Sequence, residues 1–212
     1  MIADVDIIFH LAAQVSYIDS AHMPLDDLDI NARGTLQLLE LCRQCQRDIK
    51  VIFASSRLVF GKIVNQPVRE DHPTEPLSLY GVHKLAAEKY HRLYARLYGL
   101  KTAVLRITNP YGERQQLKHS KYSLPGWFMR LALDGIPIKI FGDGNQMRDY
   151  IYATDIANAF LAIGVAPFAA GEIFNCGFGR SVPFRTMAET IVRVLQKGSI
   201  EYVPWPGKLR AR

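Results

Sequence analysis

Tyr80 and Lys84 stand four residues apart in the run Tyr80-Gly81-Val82-His83-Lys84. On a helix that spacing puts both side chains on one face. A lysine ammonium beside a phenol favours the phenolate and lowers its pKa from the ordinary value of about 10. Upstream, Ser55-Ser56 ends the apolar run Val51-Ile52-Phe53-Ala54. A serine hydroxyl near the phenol can share or relay the proton. Ser56, Tyr80 and Lys84 together would form a general acid/base suited to an alcohol or sugar hydroxyl near neutral pH. The spacing alone also fits an amphipathic helix whose Tyr and Lys merely face solvent.

Bringing such residues together requires a scaffold, and the pattern of the chain supplies one. Apolar runs alternate with helical patterns, which predicts an α/β fold with a parallel sheet. Strands are expected over 5–11, 50–54 and 102–107. Polar or small residues follow each, at the carboxyl ends where parallel α/β sheets bind ligands. Helices are expected over about 25–45 and 80–98. In the first, Leu28, Leu36, Leu39 and Cys42 can line one buried face. In the second, Leu85, Ala86, Tyr90, Leu93, Leu97 and Tyr98 alternate with Lys89, Arg92 and Arg96. Pro67, Pro73 and Pro76 mark 62–78 as an extended loop. Beyond Asn109 the elements shorten. Helices are expected over 127–133, 155–163 and 184–195, strands over 138–141, 150–153, 173–176 and 200–203, and a turn at Pro110-Tyr111-Gly112.

Further motifs flank the Tyr/Lys pair in a fixed order. They are His10-Leu11-Ala12-Ala13, Asn31 with Gly34-Thr35, Ser55-Ser56 with Val59-Phe60-Gly61, Arg106 to Gly112, and Phe141-Gly142-Asp143-Gly144 leading into Arg148-Asp149-Tyr150-Ile151-Tyr152. In that order and spacing the chain resembles the extended short-chain dehydrogenase/reductase family, and within it the NAD-dependent, UDP-glucose 4-epimerase-like epimerases and dehydratases. The resemblance implies a partial Rossmann-type parallel sheet with a smaller α+β substrate-binding lobe. Residues 1–109 would form the NAD-binding part, and 110–212 mainly the lobe, with some elements returning to the sheet.

The resemblance also assigns roles. Tyr80 would be the base, Lys84 would bridge the ribose hydroxyls of NAD, and Ser56 would hydrogen-bond the substrate oxygen. Ala12, Ala13, Asn31 and Ser55 would contact or support the cofactor. Asn109 and Arg148 would bind the nucleotide-sugar, with an Arg148–Asp149 surface pair as the plainer reading. His10 reads as a hydrogen-bonded structural histidine. Dehydratases of the family carry an Asp-Glu pair after the hydroxyl residue; here those positions are Arg57 and Leu58. Leucine cannot transfer a proton, so epimerisation of a UDP-hexose at C4 is the implied reaction. A reductase or decarboxylase of the same family, or a non-catalytic remnant, are the alternatives. The family opens on a glycine-rich turn, whereas the first glycine here is Gly34. A missing first βαβαβ half-unit and a shortened C-terminal end are therefore expected.

Composition narrows the class. Of 212 residues, 49% are hydrophobic and 22% charged, a globular balance. No apolar stretch approaches a membrane span, and Asp4 and Asp6 sit where a signal sequence would be apolar, so a cytoplasmic protein is expected. The net charge of +6, half of it matched by Lys208, Arg210 and Arg212, suits a pyrophosphate ligand. No basic stripe interleaved with aromatics points to nucleic acid. Cys42 and Cys45 lie inside a helical pattern with no second pair, so neither a disulfide framework nor a metal site is expected. A homodimer through the two long helices is a further implication of the resemblance.

Overall fold

The computed structural model describes residues 4–45 and 47–206; the basic run Lys208, Arg210 and Arg212 lies outside them. Along the chain, β1 (Ile7–His10) leads to α1 (Tyr17–His22), α2 (Pro24–Leu28), a π-helical turn (Asp29–Arg33) and α3 (Gly34–Gln44). Next come β2 (Lys50–Ser56), α4 (Leu79–Tyr98) and β3 (Lys101–Ile107). After them follow β4 (Asn109–Tyr111), α5 (Leu124–Asp134), β5 (Ile138–Phe141), β6 (Met147–Tyr152) and α6 (Ala153–Val165). The last elements are β7 (Ile173–Cys176), β8 (Ser181–Pro183), α7 (Phe184–Leu195) and β9 (Ile200–Val203).

Two compact units result. The first comprises Met1–Thr108 and Thr154–Cys176, the second Asn109–Ala153 and Gly177–Arg212. The first is built on a four-stranded parallel sheet in the order β1-β2-β3-β7. Ile8, Val51, Cys42, Ile49 and Leu100 pack on one face beneath α3 and α4, and Phe53, Ala87 and Val104 extend that core. On the opposite face Phe9 meets Phe160 of α6 edge-on, with ring centroids 6.0 Å apart. β1 is an edge strand. Phe9 remains 37% exposed and Leu11 57%, so this apolar edge is only partly covered.

α4 is bounded by clear signals. The Ser78 side chain accepts from Gly81 N–H at the start, and Gly99, at φ 68°, ends the helix in a left-handed conformation that glycine adopts without strain. Its buried face differs from the apolar stripe expected. Tyr80, His83, Lys84, Glu88 and His91 turn inward with Ala87, whereas Leu93, Leu97 and Tyr98 are exposed. Leu28, expected in the core, is also exposed. Packing around buried ion pairs overrides apolar periodicity here.

The second unit holds a parallel pair, β5 with β9, and a three-stranded sheet in the order β4-β6-β8. Its core gathers Phe128, Leu131 and Ala132 of α5, Ile138 and Ile140 of β5, and Ala188 of α7. The segment expected to be a turn at Pro110 is instead strand β4, paired parallel to β6 with Asn109 opposite Tyr150. Among the described residues, no helix is long and apolar enough to cross a membrane.

Candidate functional site

β2 delivers Ser55 and Ser56 at its carboxyl end, and α4 delivers Tyr80 and Lys84 from its first two turns. Ser56 caps a short 3₁₀ turn by accepting from Leu58 N–H at 3.3 Å, and its hydroxyl hydrogen-bonds the Tyr80 phenol. Lys84 extends under the sheet end. Its ammonium donates to the Ala54 carbonyl at 3.1 Å and lies 4.7 Å from the Phe53 ring centroid and 5.9 Å from that of Tyr80. Ser56, Tyr80 and Lys84 are therefore brought together.

Burial sets the electrostatics. Tyr80 is 7% exposed and Lys84 only 2%. Desolvation pushes the Tyr80 phenol up to about 12; the Ser56 hydrogen bond pulls it down and the Asp27 carboxylate pushes it up. Desolvation pulls Lys84 down to about 8, against the upward pull of Asp27 and Glu88. The expectation that Lys84 would depress the phenol is thus corrected. Loss of solvation for a buried anion, with the Asp27 carboxylate, outweighs the pull of the Ser56 hydrogen bond, and Tyr80 rests as a phenol in this structure.

Ser55, Ala12, Ala13, Asn31 and His10 belong to the same unit as this group. Ser55 turns away from the site and donates to Glu88 Oε1 at 2.5 Å, within a buried pair in which Arg106 grips Glu88 in bidentate fashion. Arg106 also donates to the Glu70 carbonyl, fastening the long loop before α4, and stacks 4.8 Å from Phe60. Ala12 is exposed and Ala13 partly so, in the loop that follows β1. Asn31, buried in the π-helical turn, donates to the Gln14 carbonyl of that loop at 2.9 Å and to Asp27 Oδ2 at 3.1 Å. The wide turn of a π-helix aims this side chain inward. His10 is hydrogen-bonded as expected: because Thr35 Oγ1 already donates to Asn31 O, His10 Nε2–H must donate to Thr35 Oγ1 at 3.0 Å.

Asn109 and Arg148 belong to the second unit. Asn109 donates to the Asp149 carbonyl at 2.7 Å. Arg148 donates to the Met147 carbonyl at 2.8 Å. The Asp149 carboxylate accepts from the backbone N–H groups of Phe178 and Gly179.

Asp27, His83 and Glu88 escaped the sequence reading. The signal was present in part: Tyr80, Lys84, Glu88 and His91 recur at four, four and three residues, a line of titratable groups on one helical face. Asp27 gave no local sign, because its partners come from other elements.

A family model described as the NAD dependent epimerase/dehydratase family matches residues 1–177. The chain is 36% identical over 186 residues to the UDP-glucose 4-epimerase of Mycolicibacterium smegmatis, covering 88% of this chain and 59% of that protein. It superposes on the UDP-glucose 4-epimerase of Thermotoga maritima with UDP-glucose, at a TM-score of 0.86 and 33% identity, over 97% of this chain and 66% of that one. A dTDP-glucose 4,6-dehydratase double mutant from Streptomyces venezuelae, with NAD bound, aligns at a TM-score of 0.84 and 28% identity, over 96% of this chain and 62% of that one. The chain spans about 60% of the length of the curated relatives it matches.

Proposed function

The chain belongs to the NAD-dependent epimerase/dehydratase family, and we propose that it carries the proton-transfer machinery of a nucleotide-sugar epimerase acting at C4 of a UDP-hexose. The observation that carries this reading is the buried set of Ser56, Tyr80 and Lys84 at the carboxyl end of β2. The residues present fit the ribose and nicotinamide end of NAD. Lys84 has ammonium donors beyond the one given to Ala54. Asn31 Oδ1 is a buried acceptor with no partner among the described residues. Ala12 and Ala13 leave room for close approach of the backbone. No residue is assigned to the pyrophosphate, since no glycine precedes Gly34.

NAD, when bound, supplies the acceptor that takes a hydride from the sugar carbon and later returns it. The side chains handle the proton. Tyr80, a phenol at rest, must first give its proton to solvent. As the phenolate it removes the proton of the C4 hydroxyl as the C–H bond gives up its electron pair, leaving a 4-keto sugar. As the phenol so formed it gives that proton back when the carbon is reduced on its other face. Ser56 holds the reacting oxygen and supports the charged phenol by its hydrogen bond. Lys84, near 8, supplies the neighbouring positive charge. Asn109 and Arg148 are proposed to hold the nucleotide-sugar.

Arg57 and Leu58 favour epimerisation over dehydration, because water loss needs a second acid and base after Ser56. A reductase or decarboxylase of the same family would instead show net NADH change or release of carbon dioxide. Exposed Val82, Leu93 and Leu97 support a homodimer through α4. The first test is calorimetric titration of the 212-residue chain with NAD, with Lys84→Ala as control. Binding that is lost in the control, followed by interconversion of UDP-hexoses that stops in Tyr80→Phe, is expected. A folded chain that binds NAD equally well without Lys84 refutes the assignment.

A further inference from the structure

Asp27 is fully buried, at 0% exposure, although nothing in its local sequence requires a carboxylate there. A buried carboxylate is costly unless its oxygens are engaged. Both are. Oδ1 lies 2.5 Å from His83 Nδ1, and Oδ2 accepts from Asn31 Nδ2 at 3.1 Å. Each partner leads to a different wall of the site. Asn31 grips the Gln14 carbonyl in the loop that carries Ala12 and Ala13. His83 immediately precedes Lys84 and lies three residues after Tyr80 on α4. A second tie joins α4 to α1, as the Tyr80 backbone N–H donates to Ser20 Oγ at 3.2 Å.

We propose that Asp27 is a positioning residue of this site, acting through His83 on α4 and through Asn31 on the loop after β1, with its buried charge set against the Lys84 ammonium. The proposal rests on the reading of Tyr80 and Lys84 as the reacting pair. The carboxylate fixes which face of α4 meets the sheet end, so Tyr80 and Lys84 are presented without an unaided choice of helix rotation. It also works electrostatically. Its charge favours the cationic form of Lys84 and disfavours the anionic form of Tyr80, which keeps the resting pair as ammonium and phenol. Glu88, on α4, adds to the pull on Lys84. His10 of β1 and His91 of α4 lie close enough to Lys84 to feel its charge. Among these groups, Asp27 alone is linked both to α4, through His83, and to the loop after β1, through Asn31.

The test is a pair of site-resolved titrations, which need neither cofactor nor turnover. Lysine labelled at Cε and tyrosine labelled at Cζ with ¹³C report the ionisation of Lys84 and Tyr80, with signals assigned through Lys84→Arg and Tyr80→Phe. In Asp27→Asn, which keeps the shape and removes the charge, both pKa values are expected to fall, Lys84 further below about 8 and Tyr80 below about 12. A folded Asp27→Asn with both titrations unmoved overturns the proposal and leaves Asp27 a packing group. If Asp27→Asn does not fold, His83→Gln decides. It retains the carboxylate and offers a side-chain amide donor, so Lys84 is expected to titrate as in the parent chain. A Lys84 shift there that matches the loss of a neighbouring charge assigns the effect to His83 and also overturns the proposal. Absence of NAD binding or epimerase activity refutes the reading of the site but leaves both titrations interpretable.

Discussion

His91 makes the acid stability of this fold predictable. Its ring is wholly buried on α4, stacked on Phe53 with centroids 4.9 Å apart, and neither ring nitrogen has a hydrogen-bond partner among the described residues. Desolvation, and then the nearby charges of His10 and Lys84, pull its pKa from 6.5 down to about 3. The folded pKa lies below the unfolded one, so the associated stability is complete above pH 6.5 and is lost as pH falls toward the folded value. At pH 5 the unfolded chain binds this proton and the folded chain does not. That is about 1.5 pH units at about 1.36 kcal/mol each, or ~2 kcal/mol of lost stability from one side chain. His10, lowered to about 4 by burial and by Lys84, acts in the same direction. Urea unfolding at pH 7 and pH 5 measures the loss. The His91→Phe variant keeps a ring on Phe53 and removes the titration. Its loss between the two pH values should be smaller than that of the parent chain by ~2 kcal/mol. Equal losses in the two proteins would falsify the assignment, since every other titrating group is common to both.

Three more outcomes follow from the packing. Removing one partner of the buried Glu88–Arg106 pair, as in Glu88→Leu, should cost about 3–5 kcal/mol, whereas the double change Glu88→Leu with Arg106→Met should cost less than the sum of the two single ones; denaturant melts of the parent, the two single variants and the double variant read the coupling. Gly81→Ala places a Cβ 2.6 Å from the Leu58 carbonyl oxygen and 2.8 Å from Pro76 Cβ, so the first turn of α4 must shift. A loss of about 1–3 kcal/mol, with the Tyr80 signal displaced in NMR spectra, is expected; an unchanged melt and spectrum would remove the close contact from the account. Phe9→Lys on the open β1 edge should reduce concentration-dependent self-association in sedimentation velocity, because a charge on an edge strand blocks further pairing; equal association would locate the contact elsewhere.

Sequence pattern specified some elements to the residue and others not at all. β5, β7, α7 and β9 have the expected bounds, since each is an apolar or amphipathic pattern closed by glycine, proline or polar residues. The parallel sheet, and the gathering of Ser56, Tyr80 and Lys84, were legible for the same reason: strand ends and a helical spacing are local properties. β4 and β8 were not. Each has three residues and contains a proline, Pro110 or Pro183, and each is a strand only because β6 lies beside it. The inward face of α4 misled for a related reason. Leu93 and Leu97 look like core residues, yet Glu88 and Lys84 turn inward because Arg106 on β3 and Asp27 on α2 receive them. Periodicity records the side chains of one helix and not the charges that other elements bring to it. The same limit hid the sign of the Tyr80 shift, which depends on how much water is excluded.

The place of β7 in the sheet has a consequence for synthesis. β3 ends at Ile107, while its neighbour β7 begins at Ile173. Between them the ribosome must make the whole first segment of the second unit, Asn109–Ala153, and then α6. At about 5–20 residues per second, those roughly 65 residues take on the order of 3–13 seconds. Throughout that interval the β3 edge of the nascent sheet lacks its neighbour β7. The bidentate grip of Arg106 on Glu88 is already available, because both residues precede the gap. The reacting face is thus assembled early on the ribosome, and a chaperone that shields strand edges has its period of greatest use before Ile173 emerges.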